Sequence, residues 1–505
     1  MSLTIQNRRT RQNRSYAYIY TYILIAICII FFALKLASIN HALSWDESVY
    51  LGMGKYIYSA GTSGLWEMIR PLGLPAITGS FWGIGLDQII ASKIFSILVS
   101  IGCIIVTFFI GRELFDGKHA IIGALLLAVT PVFFFYADSI LTDNISTLLL
   151  MLALLMLIKG KFIPAGIFAG LAFWFKFTHV LFIFAIVLFL AYRIFVLKNR
   201  KDIGRYVLTA SIMILFVAAY FFSNYLLYSG HLGPMDAMLR PYMDASAYSH
   251  NPYLSSGFHD VKSFSYYTAY YIYGILFNTT YGFLMYLFFL IYIYKFITTR
   301  NIFRNERHTL IMTIFLVYLA YFSIIPFKTE RFFVFFLPIM AVYAAYGFIK
   351  VWNMDTKTKN AATIFRIIAE IFIIAALIIS ISSISSSYRW NESDGKPDYA
   401  IERYFDVHGI HGPILTNNPR FTAYSDERYV GAYDILNKNG LFVNDWESEM
   451  NFTAVVYMNN SVSCMDTDAK CASNAKKLRE WIKTDFKELD SYIYNGANVT
   501  FYTRR

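Results

Sequence analysis

Eight charged residues lie near the ends of long apolar segments, and they include both acids and cations. The acids are Asp46, Glu47, Asp138 and Asp143, and the cations are Arg70, Lys176, Lys328 and Arg331. A charged side chain at a membrane boundary is costly unless it has a partner or a task. Arg and Lys donors bind phosphate oxygens well. Carboxylates and cations at one membrane surface suit a substrate with a lipid tail and a phosphate head group.

The acidic pair Asp46 and Glu47 begins a few residues beyond the first long apolar segment. This position places the pair just outside a bilayer, on the face opposite the N-terminus. An ordinary solvated loop pair is the alternative to a functional site. Later in the same loop, Pro71 biases Arg70 toward an extended conformation, which puts a cation on a stiff turn.

Two further carboxylates lie in the very short connection Tyr136–Asn144. Either Asp138 or Thr142 is able to cap the helix that follows, so capping is the alternative to substrate binding for Asp138. Asp143 lies at or inside the start of an apolar span, where an unpaired carboxylate is costly. We therefore expect Asp143 to face a polar cavity into which Asp46 also points.

The segment Phe175–His179 places Lys176 between two phenylalanines. Lys176 is expected either to extend along apolar surface toward the membrane interface or to hold an anionic head group. His179 is a candidate proton carrier, although a lone histidine beside aromatic residues is more often a structural hydrogen-bonding group.

The segment Phe327–Phe332 places two cations, Lys328 and Arg331, around the single acid Glu330. An ion pair within the segment is one interpretation. A phosphate clamp is the other, since both cations are good donors to phosphate oxygens.

The composition points to a membrane protein. Of the 505 residues, 57% are hydrophobic and 18% aromatic, and the mean hydropathy is +0.47. A soluble protein of this size is neither so apolar nor so poor in charge. The net charge of +11 therefore indicates basic loops near anionic membrane lipids, and not a nucleic-acid-binding protein.

Apolar runs long enough to cross a bilayer, about 20 residues each, recur along the chain. We predict eleven spans, at about 18–38, 89–110, 120–137, 141–158, 162–175, 178–196, 206–228, 266–294, 309–326, 332–350 and 362–384. With the N-terminus inside, the inside segments carry 19 Lys and Arg and the outside segments carry 7, as the positive-inside rule requires. This predicts a multi-pass cell-membrane protein with a cytoplasmic N-terminus and an extracytoplasmic C-terminus.

The chain becomes polar after Ile384, and we predict two domains: a transmembrane domain, 1–387, and an extracytoplasmic soluble α/β domain, 388–505. Strand and helix patterns in the second domain support an α/β fold. The predicted strands are Pro413–Thr416, Ala454–Tyr457 and Val499–Tyr502, and the predicted helix is Lys476–Phe486. Cys464 and Cys471 could form a small-loop disulfide if this region is extracytoplasmic.

Several motifs occur in a fixed order: an Asp-Glu pair after the first span, an Arg-Pro segment in the same loop and an Asp at the start of the fourth span. Gly166-Ile-Phe-Ala-Gly-Leu-Ala-Phe-Trp-Phe-Lys176 and Lys328-Thr-Glu-Arg-Phe-Phe followed by Pro338 complete the series. Over roughly residues 20–350 this order resembles the GT-C glycosyltransferases. The most similar branch contains the protein mannosyltransferases and the aminoarabinose transferase of lipid A. The resemblance implies the GT-C fold, with about 11 transmembrane helices and a C-terminal extracytoplasmic α/β domain.

The resemblance also implies a polyprenyl- or dolichyl-phosphate-sugar donor and an inverting, single-displacement transfer outside the cytoplasm. Asp46 would be the base that takes a proton from the acceptor hydroxyl, and Glu47 would support it. The donor phosphate would be held by Arg70, Lys176, Lys328 and Arg331, and the further substrate-binding residues would be Asp138, Asp143, His179 and Glu330. A lipid monophosphate leaving group requires no metal, although the acids are able to bind a divalent cation.

The residues do not identify the sugar or the acceptor. On family grounds the expected donor is mannose on dolichyl phosphate, and the acceptor is a lipid-linked oligosaccharide, a protein or an envelope lipid. Many family members have Lys-Pro-Pro where this chain has Arg70-Pro71-Leu72. A membrane transporter and a non-catalytic receptor or assembly protein are the alternatives. The transporter is disfavoured because the charged residues gather at one surface and not at the bilayer midplane.

Overall fold

The apolar runs fold as helices in the computed structural model. It describes residues 2–67, 70–227, 283–298, 305–324, 329–353, 407–432, 451–459, 469–494 and 497–505, with scattered positions between 363 and 404. The chain divides into two compact units. Unit 1 comprises Met1–Ile39, Ile94–Tyr220 and Lys262–Tyr388, and unit 2 comprises Asn40–Lys93, Phe221–Val261 and Arg389–Arg505.

The helices and strands of the described residues are numbered in chain order. The helices are α1 (Ser2–Ala37), α2 (Trp45–Tyr58), α3 (Gly73–Gly83), α4 (Gln88–Leu114), α5 (Gly117–Ala128), α6 (Pro131–Phe135), α7 (Thr142–Ile158), α8 (Phe162–Phe175), α9 (Leu181–Phe195), α10 (Ile203–Leu227), α11 (Phe283–Thr298), α12 (Glu306–Ile324), α13 (Leu337–Trp352), α14 (Phe421–Tyr424) and α15 (Ala469–Asp485). The strands are β1 (Gly64–Leu65), β2 (Ile414–Thr416), β3 (Arg428–Gly431), β4 (Ala454–Met458), β5 (Phe486–Tyr494) and β6 (Ala497–Arg504). Short 3₁₀ turns cover Tyr136–Asp138, Phe177–Val180 and Glu330–Phe335.

Within the described residues, four helical segments are long and apolar enough to cross a membrane. They are Tyr18–Ala37, Gln88–Leu114, Phe177–Phe195 and Ile203–Ser223. The shorter apolar helices α7 and α8 coincide with the predicted spans 141–158 and 162–175. The predicted spans 266–294 and 362–384 lie largely outside the described residues.

The predicted span 120–137 is not one straight helix. It consists of Gly117–Ala128 and Pro131–Asp138, which are bent by 62° relative to each other. Thr130, between the two, has an extended backbone. Pro131 explains the break because a proline has no backbone N–H to continue the helix and restricts the residue before it.

Asp116 caps the start of α5. Its Oδ1 accepts hydrogen bonds from the backbone N–H groups of Lys118 at 2.8 Å and His119 at 3.0 Å. Partial burial alone would raise the pKa of the Asp116 carboxyl, but the N–H donors and the His119 ring lower this pKa below its ordinary value. The cap therefore contributes stability above the ordinary aspartate pKa and loses it as the pH falls through the lowered pKa.

We expect Asp116→Ala to lower the free energy of unfolding by about 0.5–2 kcal/mol at neutral pH, the usual cost of a lost N-cap. Asp116→Asn keeps an acceptor oxygen and is expected to lose much less. Thermal unfolding in detergent measures the stability of both variants. The difference in stability between wild type and Asp116→Ala should become smaller in acid. A constant gap between neutral and acidic pH would contradict the capping role.

Unit 2 contains a six-stranded sheet with the strand order β1-β3-β2-β4-β6-β5. The strands β1, β3, β2 and β4 pair in parallel, and β6 and β5 add antiparallel. The sheet packs on α15 through a core of Leu415, Phe452, Val455, Leu478 and Ile482. The three predicted strands are present as β2, β4 and β6, and the predicted helix is present as α15, which begins earlier, at Ala469. Strand β5, which begins at Phe486, was not predicted.

The edge strand β1 does not come from the C-terminal region. It belongs to the loop after the first span, and it pairs with β3 through Gly64↔Arg428 and Leu65↔Tyr429. The predicted domain boundary at 387–388 lies outside the described residues and stays a prediction. Cys464 also lies outside them, so its pairing with Cys471 stays a prediction.

Helix α2 is deeply buried within unit 2. Every residue from Glu47 to Lys55 is buried. Glycines allow the close packing: a Cβ atom on Gly54 would lie 2.6 Å from the backbone nitrogen of Gly79 in α3.

Candidate active site

The acidic pair lies at the first turn of α2. The Glu47 carboxylate accepts a hydrogen bond from the backbone N–H of Ser44 at 2.7 Å, which satisfies an N–H group at the helix end. Glu47 is buried. Its side chain therefore fixes where α2 begins, and this places Asp46 in the positively polarised first turn, where a carboxylate is stabilised.

Asp46 is paired with Arg70. The Arg70 Nη2 atom lies 2.7 Å from Asp46 Oδ1, and Arg70 Nε lies 2.8 Å from Glu67 Oε2. Asp46 and Arg70 are 17% and 18% exposed, whereas the Glu67 side chain is 4% exposed. One guanidinium therefore bridges a partly accessible carboxylate and a buried one.

The charge state of Arg70 follows from these neighbours. Burial by itself lowers the pKa of the guanidinium, but the attraction of Asp46, Glu67 and Tyr50 outweighs it and raises the pKa well above the ordinary arginine value. The guanidinium carbon also lies 5.6 Å from the centre of the Tyr50 ring. Arg70 is thus a permanent cation beside the Asp46 and Glu67 carboxylates.

A second acid–cation pair occurs in unit 1. Lys176 Nζ is hydrogen-bonded to Asp143 Oδ1, and the ammonium lies 4.5 Å from the centre of the Phe332 ring. Lys176 follows the last residue of α8, and Asp143 lies in the first turn of α7. The two residues that the sequence assigned to phosphate and substrate binding are therefore partners of each other.

Asp138 forms a third pair, which is almost fully buried. Lys35 Nζ lies 2.7 Å from Asp138 Oδ1, and the two side chains are 5% and 1% exposed. The ammonium also lies 4.6 Å from the centre of the Phe134 ring. The pair ties the last turn of α1 to the 3₁₀ turn Tyr136–Asp138, which favours a structural role for Asp138.

His179 is buried in the 3₁₀ turn before α9. Its Nδ1 atom lies 3.1 Å from the Tyr318 hydroxyl, and its ring packs against Phe335. The assignment of His179 to substrate binding stays a prediction, and so does the structural alternative.

The segment between α12 and α13 is described only in part. Glu330 and Arg331 begin the 3₁₀ turn Glu330–Phe335, and the Arg331 guanidinium lies 5.7 Å from the centre of the Phe332 ring. Lys328 lies outside the described residues, so its assignment to the donor phosphate stays a prediction.

Sequence reasoning missed Glu67 and Lys35. Glu67 lies three residues before Arg70, a spacing that allows a local ion pair. This spacing could have identified Glu67 from the sequence. Lys35 lies inside the first apolar run, where a charge requires a partner. Its partner is about a hundred residues away in the chain, and nothing in either local pattern identifies it.

Among the described residues there is no group of three or more His, Cys, Asp and Glu side chains that could hold a metal ion. The Arg70 guanidinium contacts the carboxylates of both Asp46 and Glu67.

One family model matches part of the chain. Its description is dolichyl-phosphate-mannose-protein mannosyltransferase, and it matches residues 70–223. This range begins at Arg70 and includes Asp143 and Lys176. A sequence comparison with curated proteins gives no match.

Solved structures resemble almost the whole chain. ArnT from Cupriavidus metallidurans, bound to undecaprenyl phosphate, has a TM-score of 0.61 at 13% identity and covers 95% of this chain and 98% of its own. The oligosaccharyltransferase of Archaeoglobus fulgidus has a TM-score of 0.56 at 12% identity and covers 87% of this chain and 69% of its own. It was also solved in complex with zinc and sulfate. The mycobacterial arabinofuranosyltransferase AftD has a TM-score of 0.52 at 12% identity, with 95% of this chain and 40% of its own covered.

These similarities establish the fold. The chain has the GT-C fold of a polytopic α-helical membrane protein, with strands in its C-terminal region. The resemblance inferred from the order of the motifs is confirmed.

Proposed function

We propose that the chain is an integral-membrane inverting glycosyltransferase that moves a mannosyl group from a polyprenyl- or dolichyl-phosphate donor to an acceptor hydroxyl. The observation that carries the proposal is the partly exposed Asp46 carboxylate paired with Arg70 at the first turn of α2. The description of the family model supports the mannosyl donor. Similar proteins solved with undecaprenyl phosphate and with dolichol phosphate support the lipid carrier.

In the proposed reaction Asp46 is the general base. Its carboxylate takes the proton from the acceptor hydroxyl as the oxygen attacks the anomeric carbon of the sugar. The bond between that carbon and the phosphate oxygen breaks, and the lipid phosphate leaves with the electron pair. A positioned carboxylate base typically contributes about 10²–10⁴-fold to the rate.

Arg70 has two tasks in this proposal. It holds the Asp46 carboxylate through an ion pair, and it provides positive charge for the departing phosphate. A guanidinium has five N–H groups, more than its contacts with Asp46 and Glu67 require. Fixed donors aimed at developing charge stabilise a transition state strongly. Lys176, Lys328 and Arg331 are proposed as further cations for the donor.

The acceptor is proposed to be a lipid-linked oligosaccharide, a protein or an envelope lipid, and the transfer is placed on the extracytoplasmic face. The excess of Lys and Arg in the opposite loops supports this sidedness. A similar oligosaccharyltransferase was solved with an acceptor peptide, which supports an acceptor of macromolecular size.

The test is sugar transfer by the purified chain in detergent, with radiolabelled polyprenyl-phosphate mannose and extracted membrane lipids or peptides. Label in a lipid or peptide product supports the proposal. If the purified chain binds neither this donor nor the corresponding lipid phosphate, the proposed donor class is wrong.

Transfer is expected to be insensitive to metal removal, because the leaving group is a lipid monophosphate and cationic side chains such as Arg70 are able to neutralise it. The rate in excess EDTA should stay within about twofold of the untreated rate, since no transition-state interaction is removed. Loss of transfer in EDTA that is restored by added Mn²⁺ or Zn²⁺ would contradict this prediction.

A further inference from the structure

The mechanism gives no task to Lys55, although its ammonium is one of the most deeply buried charges in unit 2. The side chain is 4% exposed. Its Nζ lies 3.1 Å from the carbonyl oxygen of Ala423, 2.9 Å from that of Ser425 and 3.0 Å from Asp426 Oδ1. An ammonium has three N–H groups, and these three acceptors all lie within hydrogen-bond distance of it.

All three acceptors belong to the segment around α14 in the C-terminal region, whereas Lys55 lies in the last turn of α2. A second link joins the same two elements nearer the acidic pair. The buried Thr422 hydroxyl lies 3.2 Å from the carbonyl oxygen of Ser48, two residues after Asp46. Helix α2 and α14 also pack closely at Gly52, which lies between Ser48 and Lys55, since a Cβ atom on Gly52 would lie 2.6 Å from Thr422 Oγ1.

The segment that carries Arg70 is attached to the same region. Strand β1 pairs with β3, and the backbone N–H of Gly64 donates to the carbonyl oxygen of Glu427 at 2.9 Å. Gly64 has a φ of +77°, and a Cβ atom there would lie 2.1 Å from the carbonyl oxygen of Gly52. Glycine is therefore required where β1 passes α2.

We infer that the C-terminal region is a positioning element for the Asp46–Arg70 pair, with Lys55 and Thr422 as its positioning residues. The two halves of the pair lie on α2 and just after β1, and both elements are held by Phe421–Gly431. The separation of the base from its cation is thereby set by residues more than 350 positions further along the chain. Small displacements of such groups are costly, because a shift of about 1 Å can lower a rate roughly 10²-fold.

A catalytic consequence of this inference rests on the proposed function, but the positioning itself does not. Hydrogen–deuterium exchange of the full chain in lipid nanodiscs measures positioning directly. In Lys55→Met the two carbonyl groups and Asp426 lose their ammonium, so exchange in α2 and β1 should become about 10–100-fold faster. Exchange in α7 and α8 of unit 1 should not change.

The matched control is Lys35→Met, which removes an equally buried lysine with a carboxylate partner from unit 1. It should leave exchange in α2 unchanged. Thr422→Val, which removes only the hydroxyl, should speed exchange in the first half of α2, and Thr422→Ser should restore it. These variants provide the test if Lys55→Met does not fold.

Transfer of radiolabelled mannose is measured on the same samples, per folded molecule. We expect kcat to fall roughly 10–100-fold in Lys55→Met, with the donor KM within about threefold, as for loss of an interaction that acts on the transition state. The positioning is overturned if α2 exchange is unchanged or if exchange rises equally in α7 and α8. Its catalytic consequence is overturned if kcat is unaffected while exchange in α2 becomes faster. If Asp46→Asn transfers normally, the proposed function fails, and the exchange data still decide the positioning.

Discussion

Replacing Asp46 with asparagine is expected to lower the rate of sugar transfer by about 10²–10⁴-fold, the usual contribution of a general base. Asparagine has nearly the same shape as aspartate, and its amide oxygen is able to accept a hydrogen bond from Arg70. It cannot take a proton from a hydroxyl. The fold should therefore survive while transfer is lost, and single-turnover transfer from radiolabelled polyprenyl-phosphate mannose measures the difference.

Asp87→Asn is the matched control. Asp87 is an exposed acid of the same unit, and its carboxylate accepts a hydrogen bond from the backbone N–H of Ile90 at 2.9 Å, which asparagine can also do. Its transfer rate should stay close to the wild-type rate. A rate within about threefold of wild type in Asp46→Asn would rule out the base assignment and return attention to the receptor alternative.

The helical part of the fold was predictable because it depends on local pattern. A single apolar segment in a membrane has no water to hydrogen-bond its backbone N–H and C=O groups. It therefore forms a helix, in which these groups bond to each other. The bend at Pro131 was also predictable, since proline has no backbone N–H to continue the hydrogen bonding of a helix. The deep burial of α2 was not, because it depends on Gly54 meeting Gly79 in another helix.

The sequence identified the charged residues of the candidate site individually, but it did not predict which acid pairs with which cation. Each residue is recognisable by itself because it is a charged residue at the end of an apolar segment. These residues are Asp46, Asp143, Arg70 and Lys176. Which acid meets which cation depends on chain segments up to tens of residues apart that only the tertiary structure brings together. The contribution of β1 to the C-terminal sheet was hidden for the same reason, since Gly64-Leu65 has no strand pattern of its own.

Replacing Arg70 with glutamine is expected to have the second largest effect, a loss of roughly 10²–10³-fold in transfer, as for removal of one donor to developing charge. It should also destabilise the chain, because the buried Glu67 loses its guanidinium. Breaking a buried pair by removing one partner costs about 3–5 kcal/mol, and the partial exposure of Arg70 places the expected loss at or below the lower end.

A second substitution separates these two effects. In Arg70→Gln/Glu67→Gln no charge is left without its partner at the buried position, so thermal stability in detergent should recover most of its loss. Transfer should not recover, because the cation for the phosphate is still absent. Arg70→Lys should have a transfer rate between those of wild type and Arg70→Gln. The lysine ammonium keeps the positive charge, but it lacks the planar guanidinium fork that contacts both carboxylates.

Arg205→Gln provides the control for losing an arginine that pairs three residues away. Arg205 Nη1 lies 3.0 Å from Asp202 Oδ1, and the arginine side chain is 66% exposed. Such a surface pair contributes about 0–1 kcal/mol, so both stability and transfer should stay near wild type. If the double variant recovers transfer together with stability, Arg70 only holds the fold together and the donor phosphate depends on other cations. If stability recovers and transfer does not, the guanidinium acts on the reacting groups themselves.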